Sequence, residues 1–75
     1  NPLRALTFIE EMRAQCEKIA RAPQAYRARP DLAEGLRSCA HRNYVIFFTV
    51  AKVHLTVVRV LHGAMDIPAH FSKVR

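Results

Sequence analysis

Tyr44-Val45-Ile46-Phe47-Phe48-Thr49-Val50 is the stretch on which the fold of this chain turns. Every residue in it is aromatic or β-branched, the chemistry that suits a pleated, half-buried surface. Tyr44, Ile46, Phe48 and Val50 point one way, and Val45, Phe47 and Ala51 the other. Both faces are apolar, so this strand needs cover on both sides. Upstream, residues 36–40 read as a short strand, and His41-Arg42-Asn43 as a turn in which Asn43 accepts positive φ. Downstream, Ala51-Lys52 is a tight connection into a third strand, residues 53–62, which Gly63 ends. On that strand Val53, Leu55, Val57 and Leu61 share a face with Arg59, while His54, Thr56, Val58, Val60 and His62 take the other.

Working outward to the N-terminus, Leu6, Ile9, Met12, Cys16 and Ile19 recur at helical spacing and predict a helix over residues 2–22. Asn1 suits its cap, Pro2 its first turn, and Pro23 stops it. Residues 23–35 read as a loop with one helical turn after Pro30, around Asp31 to Glu34. Asp66-Ile67-Pro68 opens a last helical turn in the tail. The expectation is an α+β domain spanning residues 1–75: one long helix on a three-stranded antiparallel sheet, 36–40, 44–51 and 53–62, joined by hairpins. One helix cannot cover both faces of such a sheet. Either the C-terminal tail folds back over the second face or a partner chain does.

The 75 residues make one small domain, which buries only roughly 60% of its unfolded surface. A hydrophobic share of 51% argues against disorder. Twelve Lys and Arg against six Asp and Glu give a net charge of +6, and each half, 1–30 and 31–75, has a basic excess. Such a surface suits nucleic acid, an anionic membrane or an acidic protein. The apolar run from Val45 to Val50 is too short to span a bilayer, and the opening residues do not read as a signal peptide. The start at Asn1, without Met, is read as a natural start lost. Two cysteines, Cys16 and Cys39, fit a reducing compartment better than a disulfide scaffold, and Cys16 sits in the helix stripe.

Candidate chemistry is sparse. His62, Asp66 and His70 recur every four residues, but Gly63 and Pro68 interrupt any helix that would stack them on a metal. The glycines, Gly35 and Gly63, make no phosphate loop. Ser38 near His41 lacks an orienting carboxylate, and Asp66 is the only acid after Glu34, so paired carboxylates are missing from the sheet. Arg37, Arg42, Lys52, Arg59 and the histidines are an inventory for metal-free RNA cleavage. A basic sheet surface is more often an electrostatic docking face. Tyr44, Phe47 and Phe48 would serve as base-stacking platforms if exposed, but aromatics on a central strand belong to the core.

The string Arg29-Pro30, Gly35-Leu36-Arg37, Tyr44-Val-Ile-Phe-Phe48 and Val57-Val-Arg-Val-Leu-His-Gly63 with Asp66 after it resembles ParE-type toxins of the RelE/ParE superfamily. Arg59 to Asp66 is the most specific part. The exit of the opening helix, Cys16 through Ile19-Ala20 to Pro23, fits the family's second helix. Family members begin with a strand and a first helix upstream of this segment, so the opening helix is read as the remnant of a helical hairpin. The resemblance implies the toxin of a type II toxin–antitoxin module, cytoplasmic, acting on DNA gyrase and neutralised by an acidic ParD-like antitoxin. It implies no catalytic residue, metal, cofactor or membrane partner, and no sequence-specific nucleic-acid binding by the toxin alone. The alternative is a ribosome-dependent messenger RNA endonuclease of the RelE type. Those enzymes carry a basic residue directly after the strand-opening tyrosine and a tyrosine near the C-terminus. Here Val45 follows Tyr44, and the chain has Phe71 and no tyrosine after Tyr44. The residues expected to meet the target or partner are Arg59, His62 and Asp66, with Arg37 and Arg42 on the neighbouring strand and turn. For Arg59 a structural role, partly buried and paired with Asp66 or Glu34, stands beside the contact role.

Overall fold

A computed structural model describes residues 2–71; the expected Asn1 cap lies outside them. The chain runs through α1 (Pro2–Arg21), a 3-10 turn (Pro23–Ala25), β1 (Arg27–Ala28), β2 (Arg37–His41), β3 (Tyr44–Ala51), β4 (His54–His62) and a short α2 (Ile67–Phe71). The strands form one antiparallel sheet in the order β1-β2-β3-β4. The class is α+β with one long helix, as the sequence predicts, but the sheet has four strands rather than three. The extra strand lies in the stretch read as loop. Arg27 pairs with Ser38 and Ala28 with Arg37, and the Arg29 N–H donates to Leu36 O at 2.7 Å. The loop closes on itself: the N–H groups of Leu32 and Ala33 reach Arg29 O, and the Arg29 guanidinium takes both carboxylate oxygens of Asp31. The expected turn after Pro30 is therefore present as a hydrogen-bonded turn.

α1 meets the sheet along Phe8, Met12 and Ile19, not along the whole stripe read from the sequence. Ile19 is fully buried with Cys39, Ile46 and Phe48, Met12 packs against them, and Phe8 sets its ring edge-on to Tyr44 at 5.2 Å. Leu6 and Ile9, expected to face the core, are 58% and 52% exposed. Phe8 displaces them because the helix turns its other flank to the sheet. There Gln15 Nε2 donates to Cys39 Sγ, and Glu11 reaches the β2–β3 turn.

Both hairpins turn on two residues, with positive φ at the first: Arg42 at 56° and Lys52 at 58°. Arg42, not Asn43, takes the left-handed position, and Lys52-Val53 replaces Ala51-Lys52 as the second turn. Glycine is the preferred residue where only the first central position has positive φ. Lys52→Gly is expected to stabilise the chain by about 1 kcal/mol, raising the melting temperature by about 4–8 °C. Calorimetry checks this, and a lower melting temperature would mean that the turn carries no strain.

The register between β3 and β4 slips once. Phe47 pairs with Arg59 but Phe48 pairs with Val57, leaving Val58 as a bulge. Residues directly opposite share a face, so the bulge corrects the parity read from the sequence. Val57 and Leu55 lie with Phe48 and Val50 on the α1 side, joined by Val60 and His62; Arg59 and Leu61 lie with Phe47 and Val45 on the other. That other face has its own core of Leu36, Phe47 and Leu61, covered by Leu32 and Ala33 from the loop and by Ile67 and Phe71 from α2. The C-terminal segment does fold back over the second face, with the Phe71 ring 4.8 Å from Phe47. Within β4 the exposed large apolar side chains are Val57 and Val60 on the α1 side and Val58 in the bulge. No helix of the described residues is long and apolar enough to cross a membrane.

Candidate functional site

The five residues singled out from the sequence divide into two groups. Arg37 faces the α1 side, opposite Phe48. Its guanidinium donates to Tyr26 O at 2.7 Å and to Gln24 Oε1 at 2.6 Å, tying the 3-10 turn to β2. Arg42, at the strained β2–β3 turn, donates through Nε and Nη2 to the two carboxylate oxygens of Glu11, each at 2.9 Å. His62 accepts the Ala64 N–H on Nδ1 at 3.1 Å and sets its ring edge-on to Tyr44. These three groups are committed inside the molecule.

Arg59 and Asp66 are not. Both are exposed, and neither has a hydrogen bond or ion pair among the described residues. The expected pairing of Arg59 with Asp66 or Glu34 is therefore not formed. The Val58 bulge turns Arg59 away from α1 and onto the face that α2 covers, where its neighbours in the sheet are Phe47 and Leu61. Arg27 and Ser38, which the sequence reading left out, join the same face through the β1–β2 register. The signal for Arg27 was weak, because the two-residue β1 has no alternation to read, whereas Ser38 lies in a strand the sequence predicts but was weighed only as a nucleophile.

Glu11 is the other residue missed. His41 Nε2 lies 3.3 Å from its Oε1, so one carboxylate from α1 meets two cationic or imidazole groups of the hairpin. The hydrogen bonds from Arg42 and then from His41 hold its carboxyl below the ordinary value. Asp31 is lowered likewise, by its bond to Arg29. A carboxylate with a depressed folded-state pKa stabilises the fold above its unfolded value. That stabilisation is lost as pH falls through the folded value. Denaturant midpoints should therefore fall between about pH 5 and about pH 3. Glu11→Gln should shrink that drop; an identical pH profile in the variant would remove the α1–hairpin clasp as its cause.

The described residues contain no group of three His, Cys, Asp or Glu able to hold a metal. Cys39 is buried and Cys16 half-buried, both as free thiols, and burial pushes the Cys16 thiol up with a smaller push from Cys39. A thiol raised in this way, as Cys16 is, is a poor nucleophile. Phe47 and Phe48 are fully buried and offer no open ring to a base. An open groove of about 620 Å³ runs between α1 and the β2–β3 turn, lined by Leu3, Phe8, Glu11, Arg42 and Tyr44. The surface presents two arginines held by internal bonds, Arg37 and Arg42, an exposed Arg59, and half-covered apolar strands.

Residues 1–67 match the family model described as ParE toxin of type II toxin-antitoxin system, parDE. Toxin ParE1 of Caulobacter vibrioides is 34% identical over 68 residues, covering 91% of this chain and 70% of the relative. No solved structure matches the chain. A family match from the first residue into α2, with a relative aligned over most of both chains, leaves one assignment: this chain belongs to the ParE toxin family of type II toxin–antitoxin systems.

Proposed function

We propose that the chain arrests growth by poisoning DNA gyrase in the cytoplasm, and that an acidic antitoxin of the ParD class neutralises it. It acts by contact rather than catalysis, with no catalytic residue, metal or cofactor of its own. The carrying observation is Val45. In the ribonuclease branch a basic residue follows the strand-opening tyrosine; here Val45 packs against the Leu36-Phe47-Leu61 core. Phe71 is packed on Phe47 where a tail tyrosine would be needed. Two positions of the RNA-cutting pattern are thus filled by packed apolar side chains. In this reading Arg59 and Asp66 meet the target, while Arg37, Arg42 and His62 hold the surface in shape. Induction in a bacterial host should raise the DNA-damage response and give gyrase-dependent plasmid cleavage. Rapid messenger RNA cleavage with intact DNA would reverse the assignment to the ribosome-dependent endonuclease.

A further inference from the structure

α1 has a light hold on the sheet. Among the described residues, Ile19 is the only position of this helix that is buried. Met12, Cys16 and Ile19 follow one another at helical spacing, so they share the side that meets the sheet. Met12 and Ile19 both pack in the cluster that holds Cys39 of β2, which places the half-buried Cys16, between them, over the same strand. The Cys39 side chain is turned toward it. Cys39 Sγ donates to Ala40 O at 3.5 Å and accepts from Gln15 Nε2 at 3.1 Å, so a lone pair of the sulfur faces α1 at the residue next to Cys16. Both cysteines are free thiols, and they are near enough for Cys39 to help push the Cys16 thiol up.

We propose that Cys16 and Cys39 form a modification site for hydroperoxides: a dithiol that oxidises to an intramolecular disulfide and staples α1 to β2. Cys16, the more accessible of the two, attacks an oxygen of the hydroperoxide as its thiolate. The O–O bond breaks, a sulfenic acid forms on Cys16, and water or an alcohol leaves. Cys39 Sγ then attacks the Cys16 sulfur. The S–S bond forms, the S–O bond breaks, and the hydroxide leaves as water with the Cys39 proton. The two thiols together lose two electrons and two protons, which the peroxide takes up. Burial of Cys16 slows the first step, because little of the thiol is ionised. The pair therefore answers sustained oxidant rather than a brief pulse. Closure displaces the Gln15 amide from Cys39 and fixes the ends of the loop from residue 16 to residue 39, which restricts the unfolded chain. The oxidised protein unfolds less often than the reduced one.

The test treats the full chain with hydrogen peroxide, then with an alkylating agent. Mass spectrometry should show a monomer that has lost two hydrogens and takes up no alkyl group. Trypsin without reductant should release residues 14–18 joined to residues 38–42. The melting temperature should rise by at least about 8 °C and return when dithiothreitol reduces the bridge. Cys16→Ser, at a half-buried helix position, should lose both the joined peptide and the rise. Should that variant fail to fold, Cys39→Ala replaces it, with the same loss expected. Disulfide-linked dimers, sulfinic or sulfonic acid without the joined peptide, thiols still open to alkylation after oxidant, a joined peptide with no gain in melting temperature, or the full gain persisting in Cys16→Ser would each overturn the proposal.

Discussion

Phe48→Ala should remove most of the stability of this chain. The ring is fully buried in the cluster with Ile19, Cys39 and Ile46, and it meets the Tyr26 ring edge-on at 6.0 Å. It thereby joins α1, the start of β1, β2 and, through its pairing with Val57, β4. Truncating a buried phenylalanine costs about 3–5 kcal/mol. A domain of 75 residues has only roughly 4–11 kcal/mol in total, at about 0.05–0.15 kcal/mol per residue. At about 4–8 °C per kcal/mol, the melting temperature should fall by at least about 12 °C. Phe47→Ala should cost a comparable amount but break a different layer, since Phe47 holds Phe71 and, through its cluster, Ile67 of α2. The two variants are told apart by amide exchange: Phe47→Ala unlocks α2 first, whereas Phe48→Ala unlocks α1. A Phe48→Ala protein melting within a few degrees of wild type would show that α1 is held by something other than this ring.

What the sequence disclosed and what it hid have physical reasons. The β2–β4 meander was legible because residues 44–50 are uniformly aromatic or β-branched and no helix period competes there. The bulge in β4 was concealed. A one-residue insertion shows in sequence only when it breaks an alternation, and in the run Val57-Val58 two like residues stand side by side, so that neither marks itself as the extra one. The parity error for Arg59 followed directly. On α1, Leu6-Ile9 and Phe8 offered two nearly equivalent apolar flanks. The choice was made by distant groups, Tyr44 for Phe8 and Arg42 for Glu11, which local spacing does not report. The candidate site was legible in its chemistry and not in its bonding. Arg37, Arg42 and Arg59 look alike as letters, yet only the fold decides that the first two are spent on Tyr26, Gln24 and Glu11 while the third is free.

Arg59→Ala and Arg37→Ala, taken together, turn that difference into a measurement. Arg59 is exposed and has no partner to lose among the described residues, so its removal should leave the melting temperature within about 2 °C of wild type. If Arg59 meets the target, growth inhibition should nevertheless fall by tenfold or more, on the order of what a lost charged contact at an interface costs. Arg37→Ala should behave in the opposite way. It strands the Tyr26 carbonyl and the Gln24 side chain that the guanidinium now satisfies at 2.7 and 2.6 Å. A part-buried, charge-assisted pair of this kind is worth about 1.5–3 kcal/mol, so the protein should melt at least about 6 °C lower. Any loss of toxicity in Arg37→Ala should then track the unfolded fraction and recover on cooling, whereas the loss in Arg59→Ala should persist at every temperature where the protein is folded. A destabilised Arg59→Ala chain would return Arg59 to a structural role. Full toxicity in a normally folded one would move the target contact off β4 and onto the segment from Gly63 to Phe71, to be searched residue by residue.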